Sequence, residues 1–235
     1  MLTYFLILAP FLILGMWAQS RVTGTYAKWS EVAASSGQSG AQIARAILDR
    51  NGLMDVQVLH TPGQLTDHYD PRTRTVNLSD AVYARPSVAA VAVAAHEVGH
   101  AIQHQQAYAP LAIRSTLVPV AQIGSSAFMP LFILGIVLAS MGAATGSAAV
   151  MLIAIIGFAM AVLFQLVTLP VEFDASRRAK IQLQQLSLAP AGNASPEAQG
   201  TQQVLSAAAL TYVAAALASV AQLAYFAFQF LGSRN

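Results

Sequence analysis

Hydrophobic and polar positions fall in long separate blocks: residues 1–20, 115–171 and 198–233 carry no charged side chain, and the charges gather between them. A helix crossing a hydrocarbon core of about 30 Å needs about 20 residues, so the first block (LTYFLILAPFLILGMWAQ) predicts one span. It is read as a retained anchor rather than a signal peptide, because it has no basic n-region and Arg21 and Lys28 follow it. The middle block is too long for one span and predicts a helical hairpin breaking at Gly142–Ser147 (GAATGS). A fourth span is expected from about Val204 to Leu231.

The polar stretch has its own pattern. In GQSGAQIARAILDRNGL, Ile43, Ala46, Ile47 and Met54 recur at helical spacing, with Asn51 and Gly52 as a stop signal. Val56–His60 alternates, and Thr73–Leu78 is rich in Thr and Val after the turn-forming Asp70 and Pro71, so both predict short strands. Pro86 is placed in the first turn of a long Ala/Val helix, where its missing N–H costs nothing. A linker is expected over Leu188–Gly200, with a helix start at Ser195, Pro196 and Glu197. The expected fold is mostly α, a polytopic membrane protein of about four transmembrane helices with a small α/β domain. Its segments are an anchor (1–20), the α/β domain (21–114), a transmembrane hairpin (115–171), a cytoplasmic helix and loop (172–203) and a last transmembrane helix (204–235).

Composition agrees, with 56% hydrophobic and 9% charged residues against about 25% charged in soluble domains. A net charge of +2 on so few titrating groups gives no reason to expect a nucleic-acid partner. With no cysteine, a metal has only His and carboxylate ligands to use. Arg21, Lys28 and Arg114 flank the polar domain, and Arg177, Arg178 and Lys180 follow the third span. By the positive-inside rule these segments face the cytoplasm, and the hairpin turn and both termini face outward. Arg234 alone weighs against this. The chain is thus expected to be a multi-pass cell-membrane protein with its chemistry on the cytoplasmic side.

That chemistry lies in HEVGH. His96 and His100 are four apart on a helix and can converge on a tetrahedral metal, and Glu97 between them can take a proton from a metal-activated water. With five histidines in the chain, chance would yield HExxH roughly 0.002 times. Zinc lowers the pKa of its water to about 7, the chemistry that amide hydrolysis needs. A catalytic zinc usually has three protein ligands. The elongated motif that supplies a third histidine is excluded, because positions 103 and 106 are both Gln. His104 remains a candidate, although a helix cannot wrap three such residues round one ion unless it bends. The other candidate is Glu172 in LPVEFDASRRA, with Asp174 as fallback; Pro170 is expected to end the third span and start a new helix there. Two residues apart on a helix, Glu172 and Asp174 should not both bind one ion.

HEVGH, a membrane hairpin, then Glu in EFDASRRA resembles the membrane gluzincins, in particular the YugP-like zinc metallopeptidases, with HtpX and the CAAX-prenyl proteases as more distant relatives. The resemblance covers nearly the whole chain. It implies His96, His100 and Glu172 as ligands of one zinc per chain and Glu97 as general base of a membrane-bound metalloendopeptidase. Where the distant relatives carry an Asp four residues after the ligand Glu, this chain has Ser176, so carboxylate support of a ligand histidine is missing there. For oxyanion stabilisation Tyr212 is preferred over Arg178, Tyr108 and His104. The resemblance also implies that Thr73–Leu78 is an edge strand on which an extended peptide or protein substrate pairs, and the likeness to HtpX suggests membrane proteins among the substrates. Two alternatives are weighed. A site-2-type intramembrane protease would need an LDG-like motif, which is absent; in a non-catalytic metal-binding scaffold or transporter the His and Glu would serve structure or conduction, and too few charged positions line the predicted spans for a pathway.

Overall fold

The structure is a computed structural model describing residues 2–188 and 195–232. Residues 189–194 of the linker expected over Leu188–Gly200 lie outside the described residues, as does Arg234. In chain order come α1 (Leu2–Ser30), α2 (Gly40–Arg50), β1 (Gln57–Thr61), β2 (His68–Asp70), β3 (Thr75–Ser79), α3 (Asp80–Tyr83), α4 (Val88–Gln105), α5 (Ala109–Ser140), α6 (Ala144–Gln185) and α7 (Pro196–Gly232). The protein is mostly α, and among the described residues four helices are long and apolar enough to cross a membrane. Its contacts divide it into two units: residues 1–16, 112–169 and 212–235, and residues 17–111 and 170–211.

Among its described residues the first unit is apolar helix apart from one turn. Phe128, Phe132, Phe158 and Phe226 form its buried cluster, with Phe128 and Phe158 stacked at 4.7 Å. α5 and α6 approach at Gly124 and Gly157, where a Cβ added to Gly124 would lie 2.1 Å from the Gly157 carbonyl oxygen. Small residues permit such backbone approach inside a bilayer. The hairpin turn is tighter than the sequence suggested. It occupies only residues 141–143, with Gly142 at φ +80°, and Gly146 and Ser147 already belong to α6. Ser147 is buried and its hydroxyl donates to the Gly135 carbonyl at 2.8 Å, so its polarity is satisfied within the helices.

The second unit packs α2, α3 and α4 around the sheet, and Ile43, Ile47, Leu48, Val76, Leu78, Val98, Ala179 and Leu183 build its core. α2 begins in a capping box, with Gln42 N donating to Ser39 Oγ and Ser39 N to Gln42 Oε1. The strand order is β1-β3-β2, β1 parallel and β2 antiparallel to β3. The Thr73–Leu78 segment is therefore the central strand, not an edge. Its Thr75, Val76, Leu78 and Ser79 are buried, and both sides of its ladder are already paired. Two proline expectations also change. Pro86 precedes the N-cap of α4, which is Ser87, its hydroxyl accepting from Ala90 N at 3.2 Å. Pro170 lies inside α6 and does not divide it, so Glu172 sits in the interior of one 42-residue helix and not in a first turn. At 1.5 Å per residue that helix is about 63 Å long, roughly twice a hydrocarbon core.

Candidate active site

Every residue of the candidate centre except Tyr212 lies in the second unit. α4 presents His96, Glu97 and His100 from an apolar helix, and α6 presents Glu172, Asp174 and Ser176. The two helices touch where HEVGH has its glycine: a Cβ on Gly99 would lie 2.6 Å from the Ala175 carbonyl oxygen. Because Gly99 carries no side chain, the histidines flanking it reach the Glu172 carboxylate directly.

His96 Nε2 lies 3.2 Å and His100 Nε2 3.6 Å from Glu172 Oε2. The imidazoles stand edge to face, centroids 4.9 Å apart. Among the described residues, these three form the group of His and carboxylate side chains able to hold a metal ion, one ligand atom from each lying within 4.8 Å of the others. Two neutral nitrogens and one carboxylate oxygen suit zinc, leaving a fourth tetrahedral position for water or substrate. The opposite edges of both rings are engaged. Ser176 Oγ lies 3.2 Å from His96 Nδ1, and Gln103 Oε1 lies 3.0 Å from His100 Nδ1. Where the partner atom can only accept, such a bond sets which ring nitrogen keeps its lone pair.

Glu97 is buried beside the pair. Burial pushes its carboxyl pKa up, only partly offset by His96 and His100, with Glu172 adding to the rise. Burial opposes charge on His100, yet the Glu172 carboxylate at its Nε2, helped by Glu97, carries its pKa above the usual value.

The remaining candidates separate clearly. Asp174 does not join the metal-holding group and accepts from Gln103 Nε2 at 3.0 Å and from both Arg177 and Arg178. His104 does not join the metal-holding group; its Nδ1 pairs with the Tyr69 hydroxyl at 2.8 Å. Arg178 is held by Asp174 and Gln106 and lies over the Tyr108 ring. Tyr212 belongs to the first unit. His60 pairs with Asp80 and His68 with the Thr66 carbonyl, so both serve the small domain.

Gln103 was missed as a member of the site. Its amide is fully buried and uses both ends: Oε1 toward His100, Nε2 donating to the Val171 carbonyl at 2.8 Å and to Asp174. A signal was present in the sequence. His96, His100 and Gln103 stand at i, i+4 and i+7, one stripe of a helix.

Residues 4–231 match the family described as "Putative neutral zinc metallopeptidase", and the chain belongs to that family. It is 48% identical over 235 residues, covering 100% of this chain and 99% of the relative, to a Bacillus subtilis protein described as "Putative membrane protease YugP". No solved structure matches the chain.

Proposed function

We propose that this protein is a membrane-bound zinc metalloendopeptidase of gluzincin type, with one zinc held by His96, His100 and Glu172 and with Glu97 as general base. The carrying observation is the convergence of two imidazole nitrogens and one carboxylate oxygen within 4.8 Å. Zinc held there lowers the pKa of a water toward about 7 and polarises the scissile carbonyl. Glu97 accepts a proton from the attacking water and returns it to the leaving amine. A buried carboxyl with a raised pKa is suited to hold that proton between the two events. Glu172 as third ligand favours this reading over a site-2-type protease. Of the oxyanion candidates, Arg178 is bonded to Asp174 and His104 to Tyr69, and Tyr212 belongs to the other unit. An extended substrate, membrane proteins included, would pair on the free edge of β2, the antiparallel edge strand.

Metal content and cleavage test the reading together. One zinc per chain is expected, lost in His96→Ala and kept in Glu97→Gln, whose peptidase activity falls by about a hundred- to ten-thousandfold. Full proteolysis by Glu97→Gln would refute the mechanism. The anchor, hairpin and last span are proposed to place the second unit in the cytoplasm. Because the chain has no cysteine, Met54→Cys, at an exposed position, tests this directly: an impermeant thiol reagent should label it in opened but not in intact cells.

A further inference from the structure

The strongest feature not absorbed by the proposed mechanism is a buried glutamine with no freedom left. Gln103 is 0% exposed. A carboxamide has two N–H donors on one atom and an acceptor on the other. Here the Nε2 side faces two acceptors, the Val171 carbonyl at 2.8 Å and Asp174 Oδ2 at 3.0 Å. Neither donates: a main-chain carbonyl never does, and both Asp174 oxygens accept from guanidinium groups, Oδ1 from Arg177 and Oδ2 from Arg178. The amide cannot be flipped without setting its carbonyl oxygen against two other oxygens. Its Oε1 must therefore face His100 Nδ1, at 3.0 Å, and an acceptor there requires that Nδ1 carry the proton. The lone pair of His100 is left on Nε2, the nitrogen facing Glu172.

We propose that Gln103 is a positioning residue that fixes His100 in the Nδ1–H tautomer, so that Nε2 is free to bind the metal. The orientation comes from α6 through Val171 and Asp174. The same helix that supplies Glu172 thus also selects which nitrogen α4 offers to the metal. His96 has a weaker arrangement, because the Ser176 hydroxyl at its Nδ1 can either donate or accept and so selects no tautomer by itself. This inference rests on the metal-centre reading above.

The test has one arm on the unaltered chain and one on variants. In zinc-loaded protein carrying ¹⁵N-labelled histidine, His100 should show a protonated Nδ1 and a metal-bound Nε2; coordination through Nδ1 would overturn the proposal. Zinc affinity is then measured by competition with a chromophoric chelator. Gln103→Met, of similar length but with no acceptor, should bind zinc 10- to 100-fold more weakly, the usual range for loss of a group supporting a ligand histidine. Gln103→Glu keeps an acceptor at His100 and should stay within a few-fold of the parent, although it loses both donations to α6. A brace between helices with no effect on the tautomer would give the reverse, Glu weakening zinc as much as Met or more. His100→Ala separates the two failures. If it keeps parental affinity, the metal-centre reading falls; if it loses zinc while Gln103→Met does not, only the tautomer proposal falls. Should Gln103→Met not fold, the histidine spectra of the unaltered chain still decide.

Discussion

Both units bring two helix backbones together at a glycine, but they use the closeness differently. In the first unit Gly124 meets Gly157 amid Phe128, Phe158 and Phe226, and the gain is dispersion and close packing. In the second, Gly99 meets Ala175, and the approach lets polar groups bond across the gap: Glu172 to both histidines, Ser176 to His96, Gln103 to Val171 and Asp174. An apolar crossing tolerates a small adjustment because no atom in it needs an exact partner. A polar crossing has little such latitude, since a shift that spoils hydrogen-bond geometry leaves buried polar groups unpaired.

The sharpest way to break this comparison is to place the same methyl group in each crossing. Gly99→Ala must drive α4 and α6 apart, and overpacking of this kind costs about 1–3 kcal/mol. Zinc should be lost with it, read by metal content after gel filtration. Gly124→Ala puts a methyl against Gly157 and should cost a similar amount, lowering the melting temperature in detergent while zinc affinity stays at the parental value. Equal zinc loss in both variants would show that the crossings are not independent.

A third expectation concerns pH. Glu97 and His100 both have raised pKa values in the metal-free fold. Folding thus tightens their hold on protons, and the stability they contribute is complete below their ordinary values and lost as pH rises through the raised ones. Zinc needs the His100 nitrogen unprotonated. The rise in melting temperature on adding zinc should therefore be small at pH 5 and widen steadily toward pH 8; a constant increment would show that protons do not compete there. The smallest effect belongs to Ser176→Ala, which removes one neutral hydrogen bond of about 1 kcal/mol, roughly fivefold in zinc affinity by chelator competition. A loss as large as that of Gln103→Met would erase the distinction between the two histidines.

Much of this was legible in the sequence. The charge-free blocks gave the apolar helices, Asn51 marked the end of α2, and the stripe of HEVGH aimed two histidines the same way. What escaped detection has physical causes. Proline at 170 removes one donor, but helix continuation is also set by packing on either side, and α6 runs on. Thr and Val in Thr73–Leu78 mark a strand but not its neighbours, and β1 joined in parallel on the other side only through the three-dimensional path of the chain. Gln103 leaves no mark in a ligand pattern, because an amide that orients a ligand is not one itself.

Ser176 has a further consequence, seen by counting charge. On the proposed reading a dication held by two neutral imidazoles and the Glu172 carboxylate retains one positive unit. A carboxylate at position 176, bonded behind His96, would neutralise it; a serine does not. That surplus would act on Glu97, whose carboxyl pKa is raised by burial, and would oppose the rise, so the ion that the centre is proposed to hold would also favour the basic form of the carboxylate beside it.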